Sequence, residues 1–224
     1  AAGFVDVHVH GAIGYEAMDA DAKSLMKMAR FYAAHGVTSF LPTTWTASHK
    51  RTLAALDAIA GMVGAETGGA EILGAHVEGP YLNPTKSGAQ DPAVIRRATQ
   101  DEVRELLETG AVQLIALAPD YLENRAVIPL CREYGAMVSA AHTDAPYDDL
   151  LAAVGLGLTQ TTHTYNAMRP LHHREPGMVG GALTIDTLYS EVIPDFNHLH
   201  PAVMDLLLRA KGPDKTVIIT DAVR

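Results

Sequence analysis

The 224-residue sequence predicts an α/β protein, specifically a (β/α)8 barrel of the TIM type. Eight short runs rich in β-forming residues alternate with stretches whose apolar residues recur at helical spacing. This alternation requires parallel strand pairing, because each helix returns the chain to the same end of the sheet. The main alternative is an open doubly wound sheet, which usually carries a glycine-rich phosphate loop after its first strand. Here the first strand ends in His8-Val9-His10 instead, and this favours the closed barrel.

The first four strands are predicted where apolar and β-branched residues cluster, and each is followed by a helix signal. Ser48 can cap the second helix. A capping box from Thr99 to Glu102 opens the third helix, and Gly110 closes it. The four strands are predicted at residues 4–11, 39–45, 72–77 and Val112–Leu117.

Proline and glycine residues set the limits of the later helices. One helix ends near Gly135 with Pro129 in its first turn, and another begins at Pro201 and ends at Gly212. A further helix contains residues 150–154. The remaining strands are predicted at residues 137–141, 158–162, 190–193 and 216–220.

Composition predicts one domain, residues 1–224, because 48% of the residues are apolar and can fill a core. Cys131 is the only cysteine, which excludes a disulfide scaffold and favours a reducing, cytoplasmic compartment. Its place in a helical stretch predicts a small core residue. The 17 basic residues against 26 acidic ones give a net charge of −9, which argues against a nucleic-acid partner. No apolar run approaches the roughly 20 residues that a membrane span needs.

Several predicted strands end in histidine or carboxylate residues, at the end of a barrel where active sites lie. Alternate residues of a strand point to the same face, so His8 and His10 share a face, as do His76 and Glu78. Taken singly, each residue has a structural explanation, such as a hydrogen-bonded histidine or a helix-capping aspartate. Buried together they would cost several kcal/mol unless a cation binds them, and this predicts a divalent-metal site. The set is His8, His10, His76, Glu78, His142, His163 and Asp221.

The residue types also predict the chemistry of this site. Imidazole and carboxylate donors are typical ligands of zinc or iron. Three protein ligands leave a position for water, and the cation lowers the pKa of that water toward neutrality. Asp221 is the carboxylate best placed to take the proton of the water and return it to the leaving group. The residues therefore predict a metal-dependent hydrolase.

Six segments spread over the chain resemble the amidohydrolase superfamily and, within it, the N-acetylglucosamine-6-phosphate deacetylases. The Glu-Gly-Pro and Thr-His-x-Tyr-Asn-Ala-Met motifs are specific, whereas His-x-His and Thr-Asp are shared with many relatives. The resemblance implies a barrel that hydrolyses N-acetylglucosamine 6-phosphate to glucosamine 6-phosphate and acetate. The segments are residues 76–81 (HVEGPY), 139–144 (SAAHTD), 162–168 (THTYNAM), 174–177 (REPG), 197–200 (NHLH) and 219–222 (ITDA).

The resemblance also implies a role for each matched metal ligand. Glu78, His142 and His163 would bind the principal ion, and the aspartate after strand eight would act as base and then acid. His8 and His10 occur in only some members of the family and would allow a second ion. Many relatives with two ions bridge them with a carboxylated lysine on strand four. This chain has no lysine there, so Glu78 would have to be the bridge.

On the substrate side, the resemblance implies that Asn166 and the backbone of Ala167 contact the phosphate together with Arg174 and His198. In the family this arginine comes from the neighbouring subunit, so Arg174 is expected to reach across a homodimer. A guanidinium group suits the task because it binds phosphate through two hydrogen bonds. Gln90 stands where the family usually has a histidine that contacts the sugar. It can hydrogen-bond a hydroxyl but carries no charge.

Two departures from the family pattern leave the substrate open. They are Gln90 and Phe196, which replaces a common glycine and is expected to narrow the phosphate pocket. The alternatives are an enzyme for another N-acetylhexosamine phosphate and an inactive barrel that binds metal and sugar phosphate. The family adds a small β-sandwich from both chain ends, and the chain is expected to lack it along with the last helix. The start at Ala1 and the stop at Arg224 therefore predict a longer full protein.

Overall fold

Eight parallel strands form the centre of the molecule, and each pairs with the next strand along the chain. The structure is a computed structural model that describes residues 3–224, so Ala1 and Ala2 of the predicted domain lie outside the described residues. This consecutive order is that of a (β/α)8 barrel, and it confirms the predicted fold class. The strands are β1 Phe4–Val9, β2 Val37–Thr44, β3 Ala75–Glu78, β4 Val112–Leu117, β5 Met137–Ala140, β6 Gln160–Thr161, β7 Tyr189–Val192 and β8 Thr216–Ile218.

Helices connect successive strands and bury their apolar faces against the sheet. Leu25 and Met28 of the first helix and Leu56 of the second are fully buried, as the 3.6-residue period predicts. Within residues 3–224 no helix follows β8, and none of the helices is long and apolar enough to cross a membrane. The helices are α1 Ala22–Ala34, α2 His49–Ala60, α3 Gln100–Glu108, α4 Leu122–Ala126, α5 Ile128–Glu133, α6 Tyr147–Leu156, α7 Gly177–Thr184 and α8 Pro201–Lys211.

The two ends of the sheet, β1 and β8, meet through side-chain and loop contacts instead of a regular ladder of strand hydrogen bonds. The Asp6 carboxylate accepts a hydrogen bond of 2.6 Å from the Thr220 hydroxyl. Beyond β8, the amide of His10 donates to the carbonyl of Ala222 at 2.8 Å, and the amide of Asp221 donates to the carbonyl of His8 at 2.9 Å. The barrel is therefore closed at the carboxyl ends of its strands.

The third predicted strand, residues 72–77, is two pieces in the structure. Glu71–Ile72 pairs with the first half of β2, and β3 begins only at Ala75. Gly74 separates them with a φ of +146°, and a Cβ atom there would lie 2.6 Å from the carbonyl oxygen of Ala111. Only glycine fits this bend, which carries the chain from the short strand Glu71–Ile72 to β3.

The sequence did not predict α7, which lies between β6 and β7. It contains Gly177, Gly180 and Gly181, and glycine lowers helix propensity by roughly 1 kcal/mol per residue. A Cβ atom at Gly181 would lie 2.4 Å from a methyl carbon of Leu150 on α6. The glycine therefore allows close packing of the two helices, a tertiary effect that helical periodicity does not reveal.

The predicted helix starts are confirmed with two differences. The Thr99 hydroxyl accepts a hydrogen bond from the amide of Glu102 at 3.2 Å, and Pro129 lies in the first turn of α5. The Glu102 carboxylate accepts hydrogen bonds from Arg96 instead of the Thr99 amide, so the predicted capping box forms only in half. Ser48 stands at the start of α2, but its side chain makes no capping hydrogen bond, so that expected cap is wrong.

Candidate metal centre

The predicted ligands meet at the carboxyl ends of the strands. β1 carries His8 and leads into His10, β3 ends in Glu78, and the other donors follow β5, β6 and β8. All but the aspartate are at most 5% exposed. Their donor atoms form two groups, each within 4.8 Å, and the groups are Glu78, His142 and His163, and His8, His10 and Asp221.

In the first group, one carboxylate oxygen faces two imidazole rings. The Oε1 atom of Glu78 lies 3.2 Å from Nε2 of His142 and 3.1 Å from Nε2 of His163. The two Nε2 atoms are 3.2 Å apart. The Nδ1 atom of His142 is 2.8 Å from the carbonyl oxygen of Lys86, which accepts its proton and leaves Nε2 as the ligand atom. The three donors thus converge on one point.

The second group joins residues from the first and last strands of the barrel, because His8 and His10 belong to β1 and its extension and Asp221 follows β8. The Nε2 atoms of His8 and His10 lie 3.3 Å apart, and Oδ1 of Asp221 is 3.3 Å from the first and 3.4 Å from the second. The Nδ1 atom of His10 lies 3.2 Å from the carbonyl oxygen of Thr43, so its Nε2 atom also faces the group.

Glu78 stands between the two groups. Its Oε1 atom faces the first group, and its Oε2 atom lies 3.1 Å from Nε2 of His10 in the second. β4 contains no lysine, as its sequence VQLIAL shows. The position of Glu78 is therefore the one that a bridging carboxylate would take.

The donor set fits a divalent cation. Four imidazole Nε2 atoms point at two carboxylates, and neighbouring Nε2 atoms lie near 3.2 Å, where two N–H groups would repel each other. A cation resolves that conflict because every converging atom then acts as an electron-pair donor. Nitrogen and oxygen donors in this ratio suit zinc or iron.

The electrostatics of the group show the same demand for positive charge. Burial alone would raise the pKa of Glu78, but the charge of His8 and hydrogen bonds from His10 and other imidazoles hold it well below its usual range. Burial opposes protonation of His8, yet the charge of Glu78 and the Glu191 carboxylate 3.6 Å away raise its pKa well above the ordinary value. The carboxylates are thus ionised and require compensation by protons or by a cation.

His76 lies outside both donor groups. Its ring contacts the ring of His8 with centroids 4.6 Å apart, and its Nδ1 atom is 3.1 Å from the carbonyl oxygen of Val7. The shared strand face with Glu78 was predicted correctly, but His76 lies one layer deeper in the barrel. Burial and the neighbouring His8 lower its pKa well below the ordinary value, so it is a neutral core residue.

A cavity of about 440 Å³ opens above the two donor groups. Four of the five residues predicted to contact substrate line it, namely Gln90, Asn166, Ala167 and His198. Arg174 does not; it lies exposed in the loop before α7, where its amide donates to His172. Phe196 is 66% exposed and is not part of the cavity wall, so the expected narrowing is not seen.

The side chain of Gln90 contacts the candidate metal centre directly. Its side-chain amide donates to Oε2 of Glu78 at 2.5 Å, and its carbonyl oxygen accepts from the amide of Thr46 at 2.8 Å. The side chain is 3% exposed. It therefore orients Glu78 in addition to lining the cavity.

Trp45 is a site residue that the sequence prediction missed. It is the only tryptophan of the chain, and its ring stacks on the ring of His10 with centroids 3.7 Å apart and planes at 12°. It also lines the cavity. The residue ends the predicted second strand, where its position at the carboxyl edge of the barrel was the available signal.

Comparison with known proteins agrees with this geometry. A model of the amidohydrolase family matches residues 1–216. The chain belongs to the amidohydrolase family. This confirms the predicted resemblance.

The relatives named below share the fold and much of the sequence. An N-acetylglucosamine-6-phosphate deacetylase of Lysinibacillus sphaericus is 37% identical over 99% of this chain and 58% of its own length. An N-acetylgalactosamine-6-phosphate deacetylase of Escherichia coli O157:H7 is 37% identical over 99% and 59%. A solved mutant N-acetyl-D-glucosamine-6-phosphate deacetylase from Mycobacterium smegmatis, in complex with N-acetyl-D-glucosamine-6-phosphate, has a TM-score of 0.93 at 33% identity, covering 99% of this chain and 58% of its own. The chain thus spans somewhat more than half the length of these relatives.

Proposed function

We propose that the protein, with residues 1–224 as its catalytic barrel, hydrolyses N-acetylglucosamine 6-phosphate to glucosamine 6-phosphate and acetate. The observation that carries this proposal is the convergence of Glu78, His142 and His163 beside Asp221 on the floor of a cavity. Relatives named as deacetylases of acetylated amino-sugar phosphates support the choice of substrate.

The donor groups favour two divalent ions, zinc or iron, with Glu78 shared between them. Glu78, His142 and His163 would hold one ion, and His8 and His10 would hold the other. A bound ion would polarise the amide carbonyl and lower the pKa of a water molecule.

Asp221 is the proton carrier in this proposal. Its side chain is 21% exposed and borders the cavity, whereas Glu78 is buried among imidazoles. Asp221 accepts a proton from the attacking water and then donates it to the amine nitrogen as the carbon–nitrogen bond breaks. Burial favours the neutral form of Asp221, but the contact with His10 and the charges of His8 and His163 together outweigh it and lower the pKa, so the residue begins the cycle as a base.

The sugar phosphate would bind in the same cavity. Asn166, the backbone of Ala167 and His198 would contact the phosphate, and Gln90 would contact the sugar. Arg174 does not line the cavity of its own chain. This supports a role in a neighbouring active site, and we propose that the protein is a cytoplasmic homodimer in which Arg174 crosses to the partner subunit.

Substitution Asp221→Asn tests the proposed reaction. It keeps the shape of the side chain but removes the base, so acetate release should fall by about 10²- to 10⁴-fold. Asp205→Asn, an exposed aspartate of α8, is the matched control and should keep full turnover. Both variants should be assayed with N-acetylglucosamine 6-phosphate, N-acetylgalactosamine 6-phosphate and unphosphorylated N-acetylglucosamine. Unchanged turnover by Asp221→Asn would overturn the assigned role, and preference for the galactosamine compound would overturn the substrate.

A further inference from the structure

Glu191 is a buried carboxylate that belongs to neither donor group. It lies on β7 and is fully buried. Its Oε1 atom accepts a hydrogen bond of 2.5 Å from the side-chain amide of Gln160 on β6. Its Oε2 atom has no hydrogen-bond partner among the described residues. A buried carboxylate oxygen without a partner is costly, so the fold retains it for a reason other than packing.

The unpartnered oxygen faces an unpartnered nitrogen of a metal ligand. The Nδ1 atom of His8 is buried and makes no hydrogen bond with any residue from 3 to 224. It lies 3.6 Å from Oε2 of Glu191. The other nitrogen of the same ring, Nε2, lies 3.3 Å from Asp221 in the second donor group. The imidazole of His8 therefore stands between Glu191 and the proposed second ion.

The choice of proton position on His8 decides whether it can bind a metal. A neutral imidazole carries one N–H, and only the other nitrogen has an electron pair to donate. Metal-binding histidines commonly give that N–H to a carboxylate or backbone carbonyl, which fixes the ring and strengthens the ligand. His10 and His142 direct Nδ1 at backbone carbonyls. Among these described ligands, His8 is distinguished by a carboxylate at that position.

We propose that Glu191, oriented by Gln160, is a positioning residue that holds the Nδ1 proton of His8 and so makes its Nε2 atom the ligand of the second ion. The inference rests on the proposed two-ion centre. Gln160 completes the arrangement, because its amide occupies Oε1 and leaves Oε2 for the imidazole. Glu191 does not touch substrate and acts only through His8.

Metal binding to the chelator-treated protein tests this role without an activity assay. Cobalt(II) and zinc(II) are titrated into the wild type and Glu191→Gln, and the bound ions are counted by elemental analysis. Quenching of Trp45 by cobalt(II) reports the second site, since its ring stacks on His10. Glu191→Gln should keep the first ion and lose about 10- to 100-fold in affinity for the second.

Three further variants separate positioning from a general loss of structure. Gln160→Ala keeps the Glu191 carboxylate but removes the amide that orients it. This variant should weaken metal binding at the second site less than Glu191→Gln does. His8→Ala should abolish the second site, and Glu123→Gln, an exposed glutamate of α4, should change neither. Equal affinity of both sites in Glu191→Gln and the wild type would overturn the inference, and so would an equal weakening of both sites.

The outcome also distinguishes this inference from the proposed function. A wild type that binds only one ion at saturation overturns the role of Glu191 and the two-ion centre together. It leaves the deacetylation itself to be judged by the Asp221→Asn assay. Two ions with unaltered binding in Glu191→Gln overturn the role of Glu191 alone.

Discussion

Three residues of the proposed metal centre adopt a left-handed backbone that few side chains tolerate. The φ angles are +43° at His142, +33° at His163 and +51° at Asp221, and each residue follows directly or closely on a strand. Such conformations cost about 1–3 kcal/mol each and persist where surrounding structure enforces them. They turn the chain sharply at the barrel rim and aim the side chains at the centre. Asparagine tolerates this region as well as aspartate does, so Asp221→Asn tests proton transfer without adding backbone strain.

The only cysteine of the chain, Cys131, gives a second prediction about a single residue. Cys131 is fully buried on α5, and burial raises its pKa to about 12. At pH 8 almost no thiolate is present, so a thiol-reactive dye should not label the native protein. In guanidinium chloride, one equivalent should react within minutes. Stoichiometric labelling of the native protein at a similar rate would contradict the buried position and the raised pKa.

The clustering of the candidate ligands could be predicted from the sequence because their chemistry is unusual at strand ends. A histidine or glutamate at the carboxyl end of a β-run needs an explanation wherever it occurs, and several together indicate a cation. Glu191 carried no such signal, since one glutamate in a short strand is unremarkable. Its meaning depends on the 3.6 Å separation from His8, and this distance is set by the curvature of the whole sheet. Likewise, no spacing rule places Trp45 on His10.

At the scale of elements, prediction succeeded where local periodicity decides the structure and failed where tertiary packing does. β4 was predicted with its observed limits because VQLIAL is a run of strand-forming residues that is buried except at Gln113. β6 is only two residues long, Gln160–Thr161, although residues 158–162 have strand character. The chain leaves the sheet early there to place His163 at the rim. α7 was missed because its glycines serve contact with α6 and obscure the helical signal.

The two helix caps provide a prediction with an internal control. Thr99→Ala removes the acceptor for the Glu102 amide at the start of α3, so the free energy of unfolding should fall by about 1 kcal/mol. Ser48→Ala removes a side chain that makes no capping hydrogen bond and should change stability by less than about 0.5 kcal/mol. Urea unfolding followed by circular dichroism measures both. Equal losses in the two variants would show that the bond to Glu102 contributes nothing. Metal binding should be unchanged in either, since both helices lie outside the barrel.

At the scale of the whole molecule, the proposed second ion lies across the closure of the barrel. His8 and His10 belong to β1 and its extension, whereas Asp221 follows β8, the last strand. Within residues 3–224, these two ends of the sheet are joined by hydrogen bonds between Asp6 and Thr220, by a few backbone bonds, and by contacts of Arg224 with Glu16 and Asp19. A bound second ion would therefore connect the first and last strands directly. An ion in the first site would connect β3, β5 and β6, whose ends carry Glu78, His142 and His163.

Removal of metal should consequently lower the melting temperature. An ion that binds only the folded state stabilises it by about 2.7 kcal/mol when its free concentration is one hundred times its dissociation constant. For a chain of this size, 1 kcal/mol corresponds to roughly 2–4 °C. Chelator treatment should then lower the melting temperature by about 5–10 °C for each ion removed, and added zinc(II) should restore it. Calorimetry of the loaded, stripped and reloaded protein measures the effect. His8→Ala, which keeps the first donor group intact, should show only part of the drop, because one of its two sites can no longer respond. Identical melting of the loaded and stripped wild type would mean that the barrel closes without help from the ions.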